Sequence, residues 1–240
     1  WTTLAQFADW IFVLARTDPD APKRKGLSFL ILELDQPGVD VRPIRQATGE
    51  SEFCEIFLTD ARVPADGVLG AENDGWNVAQ NTLATERGVQ TLDQIERLCV
   101  TRGLLACDLA ARLPALDERS QGGAARQELG RLYADTEILR IVCGRMLDEL
   151  ERGGGAGPEA SIVKILYSET LQRLADAGTR WAGPAGQVEE PLLRGAYWES
   201  GDWLVDYLAS WAWTIGGGTN EILRNVLAER VLALPREPRP

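Results

Sequence analysis

Hydrophobic periodicity changes once along this chain, and the change divides it in two. Up to Val63-Pro64-Ala65-Asp66 the apolar residues come in short runs of strand character, and beyond it they recur at helical spacing. Trp10–Ala15, Leu27–Leu34, Val39–Ile44 and Phe53–Leu58 read as four strands, parted by turn formers in Thr17–Pro22 and Gln36-Pro37-Gly38. That spacing predicts antiparallel strands in a sandwich or barrel. Helices are expected from Trp76 to Leu113, Ala125 to Leu150, Pro158 to Trp181, Leu204 to Ile215 and Glu221 to Leu234. Arg119–Gly123, Gly153-Gly154-Gly155, Gly183-Pro184 and Pro235 act as stops. The expected fold class is therefore α+β in two segments. An antiparallel β domain covers residues 1–66, and an all-α four-helix bundle covers 67–240.

Composition excludes several functions. A hydrophobic share of 45% supports a sizeable core, yet no apolar run approaches the roughly 18 residues of a membrane span. Acidic residues outnumber basic ones by 36 to 25, and the basic cluster Lys23-Arg24-Lys25 lies in a polar loop, where it reads as a solvated turn. The basic face of a nucleic-acid binder is therefore not expected. The sequence has no His, and its cysteines (Cys54, Cys99, Cys107 and Cys143) form no CxxC pair. Zinc, a disulfide framework and Ser-His-Asp or Cys-His catalysis are all disfavoured, and reduced thiols in a cytoplasm are expected. The chain opens on Trp1-Thr2-Thr3, with neither a starting Met nor a basic signal region. A fragment or processed form is the expectation.

Three features could carry chemistry. Trp76, Ala79, Leu83 and Glu86 fall within about 80° of arc on a helix, which puts Glu86 on an apolar side. A carboxylate there is either paired with a cation or functional, because burying it alone is costly. Arg87 is adjacent but points about 100° away. Secondly, Gly216-Gly217-Gly218-Thr219-Asn220-Glu221 precedes the last helix. Thr219 or Asn220 can cap it, and the glycines either let a ligand approach the backbone or only turn the chain. Gly183-Pro184-Ala185-Gly186 lacks the spacing of a dinucleotide loop. Thirdly, Trp198, Trp203, Trp211 and Trp213 crowd the C-terminal third, as core or interface residues or as a ligand lining.

Several stretches in order resemble acyl-CoA dehydrogenases, especially the bacterial type that forms mixed oligomers. They are Trp1-Thr2-Thr3 with Ala8-Asp9-Trp10 and Ala15-Arg16-Thr17-Asp18; Val41-Arg42-Pro43-Ile44 through Phe53-Cys54-Glu55-Ile56-Phe57; Val63-Pro64; Gly75-Trp76; and Ala84-Thr85-Glu86-Arg87. Pro158–Lys164, Gly183–Gly186, Gly217–Asn225 and Ala228–Leu232 continue the pattern. The resemblance covers the family's middle β domain and C-terminal bundle but not its N-terminal helical domain.

It implies FAD-dependent α,β-dehydrogenation of an acyl-CoA, an oxidoreductase reaction on a CH–CH bond, with electron-transfer flavoprotein as acceptor. Many members carry the base as Glu just before the Gly-Thr of the last helix, where this chain has Gly217. Others place Glu on the long helix beside an Arg, as Glu86-Arg87 stand here. Glu86 is thus the implied base, with Arg87, Gly217 and Gly218 at the substrate. Trp1 and Thr3 match flavin-ring contacts, and Thr219, Glu221 and Gln127 match residues near the cofactor. Between Leu116 and Gly123 the family's Arg-x-x-Phe-Gly, which serves a neighbour's FAD, is missing, and Arg180 stands where Gln is frequent. A homologous partner subunit is implied, with a tilt towards bulky acyl groups. A non-catalytic partner subunit and a flavin oxidase or monooxygenase are the alternatives.

Overall fold

The computed structural model describes residues 1–118, 121–154, 157–187 and 202–236, and side chains outside 84–92. The chain forms two compact units, residues 1–86 and 87–240.

The first unit holds six strands: β1 (Thr2–Thr3), β2 (Trp10–Arg16), β3 (Leu27–Glu33), β4 (Val39–Ile44), β5 (Phe53–Leu58) and β6 (Val68–Leu69). All described pairings between them are antiparallel, in two three-stranded sheets of order β1-β5-β4 and β2-β3-β6. The four strands expected from the sequence are present. β1 and β6 are two residues long, too short for an alternating pattern to reveal. Pro43 is tolerated because β4 is an edge strand. The buried residues include Ala5, Phe29, Leu32 and Cys54.

Within this unit the Arg16 guanidinium gathers the loop to β3 by donating to the carbonyls of Asp18, Ala21, Lys23 and Lys25. Lys23, Arg24 and Lys25 themselves are exposed, as a solvated turn requires. The Arg24 guanidinium carbon lies 4.4 Å from the centroid of the Trp76 ring. Helix α1 (Gly75–Glu118) starts against β3. A Cβ on Gly75 would lie 2.3 Å from the Phe29 nitrogen, so only glycine fits the start.

The second unit packs the later part of α1 with α2 (Gly122–Glu151), α3 (Glu159–Ala182), α4 (Trp203–Ser210) and α5 (Asn220–Val226). Its core joins Ile95, Leu98 and Leu105 of α1 to Leu132, Leu139 and Cys143 of α2. Val163, Tyr167, Leu171 and Leu174 of α3 and Trp203 of α4 complete it. These positions recur every three, four or seven residues, so each helix turns one stripe inward. Burying each of the leucines stabilises the bundle by roughly 1.5–3 kcal/mol.

Helix ends depart from the sequence reading for identifiable reasons. α1 runs past Pro114 to Glu118, because Leu116 is buried against Leu109 and Ala125 and holds one more turn. The helix expected to reach Ile215 stops at Ser210 and tightens to a 3₁₀ turn over Trp211–Thr214. There the Ser210 and Thr214 hydroxyls donate to carbonyls three residues back, Tyr207 at 2.7 Å and Trp211 at 2.8 Å, in competition with the α ladder. The last helix, expected through Leu234, widens after Val226 into a π-turn over Leu227–Val231, closed by Leu232 N–H donating to the Leu227 carbonyl.

Candidate functional site

The glycine turn before α5 is the most elaborately held of the predicted features. Gly217 and Gly218 have φ of +69° and +101°, in the region that favours glycine. Among the described residues, a Cβ at Gly217 would meet nothing within 4 Å. Of the two candidate caps, Thr219 takes the role: its hydroxyl accepts the Ile222 N–H at 3.2 Å. Asn220 is thereby free to turn inward, where it is 3% exposed. Its amide donates to Ser168 Oγ at 3.0 Å. Glu221 is exposed in the first turn of α5.

Beneath the turn lies Lys164 of α3, only 8% exposed. Its Nζ donates to the Gly218 carbonyl at 2.7 Å and to Asn220 Oδ1 at 2.8 Å. Burial pushes its pKa down to about 8. Glu221 and Glu169 resist that shift, while the Arg224 charge adds to it. Arg224 in turn pairs with Glu169. Sequence reasoning assigned Lys164 no role. The signal was present: Ala160, Val163, Lys164, Tyr167 and Leu171 share the inward stripe of α3, and a lysine there requires a partner.

Gln127 is exposed near the start of α2. Arg180 is engaged with Glu128 at 2.5 Å and Asp176 at 2.8 Å, and its guanidinium is stabilised chiefly by the Glu128 hydrogen bond. Trp203 is core, Trp213 meets the Tyr167 ring edge-on at 5.2 Å, and Trp211 is exposed. In the first unit, Trp1 is 83% exposed and its ring stacks on Phe53 with centroids 5.8 Å apart and planes 12° apart. Thr3 is exposed on β1. A largely exposed indole can stack on a planar heterocycle such as a flavin. The side chains of Glu86 and Arg87, and all of Trp198, lie outside the described residues.

All four cysteines carry free thiols. Among the described residues no helix is long and apolar enough to cross a membrane.

The family model "Acyl-CoA dehydrogenase, C-terminal domain" matches residues 73–232. The chain is 40% identical over 237 residues to acyl-CoA dehydrogenase IpdE1 of Mycolicibacterium smegmatis, covering 99% of this chain and 56% of that protein. Among solved structures, the Tcur3481-Tcur3483 steroid ACAD superposes with a TM-score of 0.75 at 26% identity, covering 97% of this chain and 58% of that one. An acyl-CoA dehydrogenase from Geobacillus kaustophilus gives a TM-score of 0.82 at 26% identity, covering 95% and 58%. The chain thus spans somewhat over half the length of these relatives. With a matched family model over most of its length and antiparallel sheets followed by a helical bundle, the chain belongs to the acyl-CoA dehydrogenase family.

Proposed function

We propose that this chain contributes the β domain and C-terminal bundle of a flavin-dependent acyl-CoA dehydrogenase that uses Glu86 as its base. The observation that carries this reading is Gly217. The turn before α5 offers no carboxylate at the position where many family members keep one, and its φ of +69° suits glycine rather than glutamate. The α-proton of the thioester must then pass to a carboxylate elsewhere, and Glu86 on α1, followed by Arg87, is the candidate. A carboxylate shielded from water serves as a base because solvent no longer competes for its lone pairs.

Arg87, Gly217 and Gly218 are assigned to the substrate. FAD, when bound, accepts the hydride that leaves the β-carbon. The family resemblance assigns flavin contacts to Trp1 and Thr3 and, separately, contacts near the cofactor to Thr219, Glu221 and Gln127. The exposed Trp1 face and the Thr3 hydroxyl suit that task. Likeness to a steroid ACAD favours bulky acyl groups, and the missing Arg-x-x-Phe-Gly favours a mixed oligomer with a homologous subunit. An electron-transfer flavoprotein would reoxidise the complex.

A second reading keeps the same complex but makes this chain a non-catalytic subunit. The missing Arg-x-x-Phe-Gly favours it, and the base then belongs to the partner. Turnover decides between no dehydrogenase and some dehydrogenase. The full-length protein, co-expressed with its homologous subunit, is mixed with saturated acyl-CoAs of increasing bulk and an artificial electron acceptor. Enoyl-CoA in the product mass spectrum is expected, and its absence with every acyl-CoA would refute both readings.

A further inference from the structure

Lys164 is a charged residue on the inward stripe of a core helix, an unusual place for an ammonium. Its surroundings explain what it does there. Two of its three donors go to one turn: the Gly218 carbonyl at 2.7 Å and Asn220 Oδ1 at 2.8 Å. Ser168, one helical turn further along α3, donates to Asn220 Oδ1 at 3.3 Å and receives from its amide at 3.0 Å. The Gly218–Asn220 side of the turn is therefore anchored to one face of α3. Two consecutive glycines at positive φ would otherwise leave this segment with many backbone states.

We propose that Lys164 is the positioning residue of the glycine turn, fixing the Gly218–Thr219 peptide plane and with it the exit of the turn past the substrate. A peptide unit is planar, so holding the Gly218 carbonyl against the buried ammonium also fixes the Thr219 N–H in the same plane, directed away from α3. The downward shift of the Lys164 pKa, to about 8, is the mark of a charge kept out of water. A fold with no use for the charge would gain by placing an apolar side chain there. The charged groups around the ammonium are Glu221 and Arg224 of α5 and Glu169 of α3. The direct hydrogen bonds of Lys164, however, go to the turn.

The assignment of Gly217 and Gly218 to substrate rests on the proposed dehydrogenase reading; the control of the turn by Lys164 does not. The test therefore has two arms on the full-length protein with its FAD and partner subunit. The first is hydrogen–deuterium exchange of the peptide spanning Ile215–Glu221 in the wild type and Lys164→Met. Lys164→Met should speed exchange in that peptide roughly tenfold, the size expected for a lost hydrogen bond to a charged group. Peptides within Leu171–Ala177 should not change.

The second arm is the split between KM and kcat with whichever saturated acyl-CoA bleaches the flavin. KM should rise roughly tenfold with kcat little changed, since the turn acts on substrate binding. Unchanged exchange in Lys164→Met would overturn the proposal, as would a fall in kcat at constant KM. If Lys164→Met does not fold, Lys164→Gln is measured in its place with the same expectation. Failure of both to fold would also overturn it, by making Lys164 a folding requirement. If no acyl-CoA bleaches the flavin, the dehydrogenase reading fails and the exchange arm alone decides the role of Lys164.

Discussion

Replacing Gly178 by alanine should destabilise the helical unit, although helix propensity argues the opposite. Gly178 lies deep in α3, where alanine is favoured over glycine by about 0.8–1.0 kcal/mol. A buried methyl would add about 0.8 kcal/mol if there were room. There is none: a Cβ built there lies 2.1 Å from one carbon of the Trp203 indole and 2.5 Å from a second. Ordinary carbon contacts are about 3.5–4.0 Å, so the ring must move by more than 1 Å. Trp203 is 8% exposed, and its carbonyl accepts the Thr179 hydroxyl at 3.0 Å. The preceding Asp202 caps α4 by accepting the Leu204 and Val205 N–H groups at 2.9 and 3.2 Å. Shifting the indole therefore disturbs both the core and the cap. Overpacking costs about 1–3 kcal/mol and a weakened cap about 1 kcal/mol. A net loss of roughly 2 kcal/mol follows, or about 5 °C in melting temperature for a chain of this size. Urea titration followed by tryptophan fluorescence measures it. Gly178→Ala combined with Trp203→Leu should recover part of the loss. A single variant as stable as the wild type, or more so, would refute the packing argument.

Gly217→Ala should cost about 1 kcal/mol from its positive φ alone, since no described atom lies within 4 Å of the added Cβ, and a thermal melt would detect it. Burial holds the Cys143 thiol up at about 12, whereas Cys107 is exposed, so iodoacetamide at about pH 8 should label Cys107 and spare Cys143 in an intact-mass experiment. Lys164 titrates at about 8 when folded against an ordinary value of 10.5. Between those values the unfolded chain binds more protons, so the lysine's penalty is complete below pH 8 and is relieved as pH rises. Urea midpoints of the wild type, compared with Lys164→Met, should therefore climb between about pH 8 and 10.5.

The legible parts of this sequence were those with a long period. Four strands and the three long helices were readable because their apolar stripes repeat several times. β1 and β6, at two residues each, repeat nothing. The ends of α4 and α5 were hidden for another reason. Ser210 and Thr214 hydroxyls and a five-residue backbone bond at Leu232 redirect carbonyls that a pattern assigns to an ordinary helix. The glycine turn was visible as a motif, and its cap could be narrowed to two residues. Its anchor, Lys164, lies more than 50 residues earlier and meets the turn only through the tertiary packing of α3 against α5. Glu86 was singled out by a helical face and by family likeness, and experiment decides its chemistry.

That decision comes most directly from anaerobic flavin bleaching. The full-length protein, co-expressed with its homologous subunit, is mixed with saturated acyl-CoAs in its wild-type form and as Glu86→Gln. Bleaching by at least one acyl-CoA in the wild type is predicted, slowed by roughly 10²–10⁴-fold in Glu86→Gln with FAD still bound. Bleaching at the wild-type rate in the variant would contradict Glu86 as the base and move that role to the partner subunit.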